Sequence, residues 1–345
     1  MKAAIIGATG YGGAELIRIL QHHSEVELSS VHSSSQQGLS IAESYPHLHD
    51  IFCEKLDDID AQLLKEKADV VFLSTPPGIS SQITPSLLEE GLKVIDLSGD
   101  LRLKNADVYR EWYGLEPATG EILSKAIYGL PEWSKEEIKS AQLISNPGCY
   151  PTATLLGLTP LVKNQLIDPE SIIIDAKSGV SGAGRSPSAI SHFSEMNDSL
   201  KIYKVNAHKH IPEIEQGLQQ LDATIPSITF STHLIPMTRG IMATIYATAK
   251  EPITEKKLRS LFNDAYGEAP FVRVRNEGSY PATKEVYGTN YCDIGVTYDE
   301  RTGRITVVSV IDNLMKGAAG QAVQNLNIAM GIEETTGLNF VPVYP

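Results

Sequence analysis

The residue that most invites a chemical reading is Cys149, in the run Ser145-Asn146-Pro147-Gly148-Cys149-Tyr150-Pro151-Thr152. It follows a predicted strand and precedes an apolar stretch that reads as a helix. A thiol where a helix begins feels the positive end of the helix dipole, which lowers its pKa and raises its thiolate fraction. The Pro-Gly turn in front of Cys149 separates it from Cys53 and Cys292, which read as the ordinary buried, inert kind of cysteine. Cys149 is therefore the candidate nucleophile. A second cluster is Asn206-Ala207-His208-Lys209-His210-Ile211-Pro212-Glu213. Two histidines two apart, with a carboxylate nearby, suit a metal site, a solvated loop or proton transfer. No other part of the chain supplies a further strong ligand cluster, and thiolate chemistry must move protons. The acid/base reading of His208 and His210 is preferred, and no metal is expected.

Two further segments suit a dinucleotide. Gly7, Gly10 and Gly13, in Gly7-Ala8-Thr9-Gly10-Tyr11-Gly12-Gly13, fall between a predicted strand and a predicted helix. Glycines there permit a tight turn and let a pyrophosphate approach the backbone at a helix N-terminus. An ordinary Gly-rich turn is the plain alternative, but the place at the head of an alternating strand–helix pattern favours the cofactor. The second strand runs into Val31-His32-Ser33-Ser34-Ser35, with no acid to hold a ribose 2′-hydroxyl. Hydroxyl donors such as Ser33 and Ser34 suit a 2′-phosphate better, hence NADP, although a plain polar loop would look the same. Arg102, at a strand end in Asp96-Leu97-Ser98-Gly99-Asp100-Leu101-Arg102, joins Lys209, Arg239 and the Gly/Ser loop Lys177–Arg185 as candidates for a positive cluster. An anionic substrate and cofactor both demand one. A structural pairing of Arg102 with an acid is the alternative.

These groups need elements to place them. The runs 3–6, 26–31, 69–74, 93–98 and 143–145 are continuous and rich in β-branched residues. They alternate with helical stretches, which predicts a parallel sheet covered on both faces. After about residue 170 the pattern changes to longer β-rich segments, 171–176, 227–234 and 240–249. A helix over 254–266 and a hairpin over 293–312 follow, with Asp299–Gly303 as its turn. The expected organisation is a dinucleotide domain over 1–149 and 313–345 and an antiparallel α+β domain over 150–312, with a helical stretch 316–330 returning to the first. The chain has 345 residues, 42% of them hydrophobic, enough for two ordinary cores. Its formal net charge of −13 argues against nucleic acid and against anionic lipid. No stretch approaches a membrane span, and the apolar run at the N-terminus is too short for a secretory signal. Three distant cysteines with no C-x-x-C pair predict reduced thiols and a cytoplasmic protein.

Taken together, the block around Cys149, with GATGYGG at 7–13, DLSGDLRL at 96–103, SGVSGAGR at 178–185 and HKHIPEIEQ at 208–216, resembles the N-acetyl-γ-glutamyl-phosphate reductases of arginine biosynthesis. Aspartate-semialdehyde dehydrogenases are near relatives of that family. The resemblance runs over essentially the whole chain, and it is the combination of blocks that is specific. It implies a Rossmann-type NADP domain and an α+β catalytic and oligomerisation domain, in a homo-oligomer that is a dimer or a tetramer. It implies that Cys149 forms a thioester with a small-molecule acyl phosphate and that reduction then releases the semialdehyde. His208 is the first choice for the acid/base group and His210 the second. Arg102 would hold the phosphate, and Asn146, Lys209 and Glu213 would join it around the substrate. The loop Gly7, Thr9, Gly10, Tyr11, Gly12 and Gly13, with Ser33 and Ser34, would hold the cofactor, and Ser178, Gly179, Gly182 and Asn313 would lie near the nicotinamide. The competing classes are a metal-dependent hydrolase using His208 and His210, and a catalytically silent NADP-binding regulator.

Overall fold

The computed structural model describes residues 1–344. It divides into two compact units, Met1–Pro147 with Ala318–Asn339, and Gly148–Gly317 with Phe340–Pro345. The boundaries differ from the sequence expectation: Gly148, Cys149 and residues 313–317 belong to the second unit, as do 340–344. The reason is that the strand before Cys149 pairs in the first sheet, whereas the helix that Cys149 starts packs in the second unit.

The first unit is built on seven strands: β1 (Lys2–Ile6), β2 (Glu27–His32), β3 (Leu56–Asp57), β4 (Val70–Leu73), β5 (Lys93–Asp96), β6 (Ile127–Tyr128) and β7 (Leu143–Ser145). They pair in the order β3-β2-β1-β4-β5-β7-β6, and every pairing is parallel. Parallel neighbours need crossovers, so helices cover both faces and the inner strands must be apolar throughout. Ala3, Ala4, Ile5 and Ile6 of β1 and Val70–Leu73 of β4 are buried to within 1%. Each such Ile or Leu contributes about 1.5–3 kcal/mol by leaving water. The strand order reverses between β1 and β4, which is where dinucleotide folds open a crevice at the strand ends. The helix Gly320–Ala329 returns to this unit and packs on the helices Tyr11–Leu20 and Pro131–Ser140 and on β5. It is buried on all sides, so its polar residues must find partners. Gln321 and Asn325 donate to the carbonyl of Gly129, Gln324 to Glu334, and the Asn327 carbonyl oxygen bonds the His23 ring.

The second unit carries β8 (Ile173–Gly179), β9 (Lys201–Tyr203), β10 (Thr229–Ile235), β11 (Ile241–Thr248), β12 (Val272–Val274), β13 (Cys292–Asp299) and β14 (Arg304–Ile311). Their order is β12-β13-β14-β11-β8-β10-β9. The sequence reading predicted an antiparallel sheet; the sheet is mixed, because β8 pairs with β10 and β12 with β13 in parallel. The β8–β10 crossover spans residues 180–228 and contains the helix Ile211–Leu221. Burial alternates along β8, β10 and β11, so one face is covered and the other more open. The helix Cys149–Lys163 lies on β11 and β14 and also meets the helix Ile211–Leu221. A Cβ on Gly157 would come within 2.8 Å of Ile245, so the glycine lets helix and sheet approach closely. Pro160, inside that helix, cannot donate to the Leu156 carbonyl, and the Tyr266 hydroxyl donates there instead.

Candidate active site

In the first unit the glycine loop has three different steric requirements. Gly7 has φ +85°, and a Cβ there would lie 2.3 Å from the Ser74 carbonyl oxygen. A Cβ on Gly13 would meet Gly7 and Ala8 at 2.6 Å. Gly10 is unlike both: its nearest neighbour would be 3.6 Å from an added Cβ, so the protein itself leaves room for a side chain. Gly10 is the N-cap of the helix Tyr11–Leu20, whose first turn has no acidic residue. The space beside Gly10 therefore fits a pyrophosphate against unsatisfied helix N–H groups. Tyr11 and Gly12 open that helix, and the Tyr45 hydroxyl holds the Thr9 carbonyl. At the end of β2, His32 is committed to the fold. One ring nitrogen bonds the Asp58 carbonyl at 2.7 Å and the other bonds Ser30 at 2.9 Å. Burial holds its pKa below the ordinary histidine value. Ser33 is buried and 3.4 Å from Ser35, while Ser34 is exposed.

Arg102 is buried in the same unit and donates through Nε to the Asn146 carbonyl and through Nη2 to the Leu97 carbonyl, both at 2.9 Å. Its orientation is thus set by backbone. Nearby, burial raises the Asp96 carboxyl to about 6, its neighbour Asp100 adding to that rise. Asp100 accepts from the Gly78 and Ser81 N–H groups and from the Ser80 and Tyr109 hydroxyls. Asn146, read from sequence as a substrate ligand, has another part. It is fully buried, its N–H donates to Asp96 and its carbonyl accepts from Arg102. Its side chain donates to the Ala318 carbonyl and accepts from Asn325. All four groups brace the loop that leads to Cys149.

In the second unit, Cys149 is the first residue of a fifteen-residue helix, with Gly148 as N-cap. The Glu213 carboxylate, only 1% exposed, accepts the Gly148 N–H at 2.8 Å. Glu213 lies in the first turn of the helix Ile211–Leu221. Two helix starts are thereby tied together at the thiol, with Glu213 as the brace between them. His208 is buried among the rings of Tyr150, Tyr203, Phe230 and His210, with centroids 4.8–5.8 Å away. Its Nδ1 accepts the His210 backbone N–H at 3.1 Å. Burial, aided by Lys204 and Lys209, pulls its pKa down to about 3. Just before it, Lys204 and Asn206 hold left-handed backbone, with φ +47° and +55°. His210 caps the helix that carries Glu213.

The other expected group also assembles. Asn313 accepts the Gly240 N–H at 2.7 Å and donates to Ser181 at 2.9 Å, which ties the 178–184 loop to the end of β14. A Cβ on Gly179 would strike the Thr238 carbonyl at 2.7 Å, and one on Gly182 would meet the Ser178 hydroxyl at 2.9 Å. Arg239 is 3.5 Å from Asp312, which is wholly buried. The sequence reading missed Asp312, Gly317 and the Tyr150–Tyr203 hydroxyl pair at 3.1 Å. Only Asp312-Asn313 at a strand end gave any signal for the first. Among the described residues no three His, Cys, Asp or Glu side chains gather as a metal site, and no helix is long and apolar enough to cross a membrane.

A dinucleotide-type sheet with a helix-start cysteine in a second, mixed-sheet unit defines a class. A family profile described as "Semialdehyde dehydrogenase, NAD binding domain" matches residues 2–141, and "Semialdehyde dehydrogenase, dimerisation domain" matches 149–313. Among solved structures, aspartate semialdehyde dehydrogenase II from Vibrio cholerae superposes with TM-score 0.70 at 18% identity, over 96% of this chain and 98% of that one. The Candida albicans aspartate semialdehyde dehydrogenase with NADP gives 0.67 at 16%, over 95% and 98%. Within that class, the chain belongs to the N-acetyl-γ-glutamyl-phosphate reductase family. It is 61% identical to the protein of that name from Geobacillus sp. (strain WCH70) and 60% identical to that from Halalkalibacterium halodurans, in both cases over 100% of each chain.

Proposed function

We propose that the chain catalyses the NADPH-dependent reduction of N-acetyl-γ-glutamyl phosphate to N-acetylglutamate semialdehyde with release of phosphate, a step of arginine biosynthesis. The observation that carries this reading is the bond between Glu213 and the Gly148 N–H, which holds Cys149 at the joined starts of two helices in a chain of this family. Cys149 attacks the acyl carbon, the carbon–oxygen bond to phosphate breaks, and a thioester remains. Arg102 of the first unit and Lys209 of the second are the candidate cations for the departing phosphate. In the first unit the loop Gly7–Gly13, with Ser33 and Ser34, is the candidate cofactor cradle; in the second, Ser178, Gly179, Gly182 and Asn313 are the candidates for contact with the nicotinamide. NADPH bound there supplies the hydride that takes the thioester to the aldehyde level.

A proton must reach the substrate oxygen after reduction and leave it as the carbon–sulfur bond breaks. His208 is ill suited to that work, because its Nδ1 already accepts a backbone N–H and its pKa of about 3 keeps it neutral. His210 is the better acid/base group, with His208 as the residue that positions it. This exchanges the roles that the resemblance suggested. The chain works as a homodimer through the open face of the second sheet. There Ile173, Tyr246 and Thr306 share one register and Thr244 and Val308 another. It works in the cytoplasm, where the thiols Cys53, Cys149 and Cys292 stay reduced.

The test is turnover with each semialdehyde, phosphate and NADP in the reverse direction. N-acetylglutamate semialdehyde should be used far better than aspartate semialdehyde. Cys149→Ala should abolish turnover and leave NADPH binding near normal, while Cys53→Ala and Cys292→Ala remain active. Wild-type-like activity in Cys149→Ala would end the proposal.

A further inference from the structure

We propose that Gly317, presented by a π-turn that Asp312 organises, is the backbone wall that sets the position of the Cys149 side chain. The five-residue π-turn Met315–Ala319 follows β14 and precedes the helix Gly320–Ala329 in the chain. Its wide bond runs from the Gly317 N–H to the Asp312 carbonyl at 3.0 Å, five residues back. π-turns inside helices are rare and gather at functional sites.

The geometry at Gly317 is specific. A Cβ built there would lie 2.7 Å from the Cys149 Cβ, 3.2 Å from its Cα and 3.3 Å from Ile311 Cδ1. The bare backbone of Gly317 therefore packs on the bond from which the thiol projects. No residue with a side chain fits without displacing the cysteine or the turn. Restoring ordinary contact from 2.7 Å would move one of the two by roughly 0.8–1.3 Å, since carbon atoms rest about 3.5–4.0 Å apart.

Asp312 makes the wall stiff. Its side chain is wholly buried. Oδ1 accepts the N–H groups of Leu314 at 2.8 Å and Met315 at 3.2 Å, at the entry to the turn. Oδ2 accepts the Gly288 N–H at 2.8 Å and faces Arg239 at 3.5 Å. One carboxylate thus locks the turn from inside and anchors it to the 288 loop. Asp312 is a positioning residue that acts through Gly317.

This inference rests on the reading of Cys149 as nucleophile, so its test needs a signal independent of turnover. Iodoacetamide alkylation of Cys149 from pH 6 to 9, in protein carrying Cys53→Ser and Cys292→Ser, supplies one. Gly317→Ala should lower both the alkylation rate and kcat at least tenfold, with KM and NADPH binding within about threefold of the wild type. A misplacement near 1 Å can cost ~10²-fold in rate. Asp312→Asn keeps an acceptor for the turn and should fall between the two. Should Gly317→Ala fold poorly, a double variant decides. With Cys149→Gly removing the struck Cβ, Gly317→Ala should lower Tm much less than it does beside Cys149. Wild-type alkylation and kcat in folded Gly317→Ala would overturn the proposal, as would an equal loss of Tm in the two backgrounds. If Cys149→Ala turned over while Gly317→Ala still slowed alkylation, the nucleophile reading would fail and the wall would stand.

Discussion

Two residues apart in one crossover, His208 and His210 meet different surroundings. His208 is ringed by aromatic side chains, and its Nδ1 is already occupied by a backbone N–H. A histidine whose pKa lies near 3 is uncharged at neutral pH and takes up its second ring proton only in strong acid. General acid/base groups contribute ~10²–10⁴-fold. His210→Asn should therefore reduce kcat by about that factor with little change in Tm. His208→Asn should lower Tm by several degrees through lost packing and cost kcat less than tenfold. Steady-state rates and melting curves on both variants check this. A large loss of kcat confined to His208→Asn would return the acid/base role to that residue. The spacing of the two histidines was legible in the sequence, but their division of labour was not. It depends on which ring is enclosed by Tyr150, Tyr203 and Phe230, residues that come from three separated stretches of chain.

The end of β2, proposed above to meet the adenine ribose, is an element whose register decides which side chains are free to do so. His32, Ser33, Ser34 and Ser35 read alike in sequence as donors to a 2′-phosphate. Pairing of β2 with β3 turns His32 inward, where both its ring nitrogens are used, and buries Ser33. Ser34 and Ser35 are left exposed, and Ser35 lies 3.4 Å from the Ser33 hydroxyl, which leaves Ser34 as the hydroxyl to test. A hydrogen bond to a charged group contributes about 1.5–3 kcal/mol, and a carboxylate in its place would repel the phosphate. Ser34→Asp should lower kcat/KM for NADPH at least tenfold more than kcat/KM for NADH. Equal losses with the two cofactors would show that this strand end does not read the 2′-phosphate. The glycine loop makes the same point about elements. Three glycines at equal spacing look equivalent, yet Gly7 and Gly13 are demanded by the protein's own backbone, while Gly10 leaves space that a ligand can use.

Across the whole molecule, buried titratable groups set how stability follows pH. His208, His23 and His32 all have folded pKa values below 6.5, burial being the first cause in each. The unfolded chain takes up these protons below pH 6.5, and the folded chain refuses them until lower pH. Their stabilisation is therefore present above 6.5 and lost as pH falls, for His208 over the window from 6.5 to about 3. Asp96 opposes this: its folded pKa is raised from 3.8 to about 6, so its contribution is present below 3.8 and lost as pH rises through 6. The shift of His208, from 6.5 to about 3, exceeds that of Asp96, from 3.8 to about 6, and His23 and His32 act in the same direction as His208, so stability should decline from pH 7 to pH 5. His208 alone should contribute on the order of 1 kcal/mol per pH unit below 6.5. The urea midpoint measured at half-unit intervals tests this. A midpoint that holds level or rises on acidification would show that the folded chain accepts these protons.

Local pattern determined much about this protein. Continuous apolar runs between helical stretches specified the parallel sheet, because strands buried on both faces admit no polar alternation. The glycine loop, the Pro-Gly-Cys turn and the two-histidine block were visible because each depends on neighbouring residues. Tertiary structure alone decided the rest. The second sheet is mixed because β8 and β10 are joined by a long crossover, and segment composition does not report the direction of pairing. Asn146 and Glu213 brace the segment around Cys149 because burial obliges their polar groups to find partners from remote segments. The approach of Gly317 to Cys149 joins residues 168 positions apart, and what specifies it is the absence of a side chain. A sequence shows which residues carry chemistry; the distances between distant backbones, which decide how that chemistry is aimed, exist only once the chain has packed.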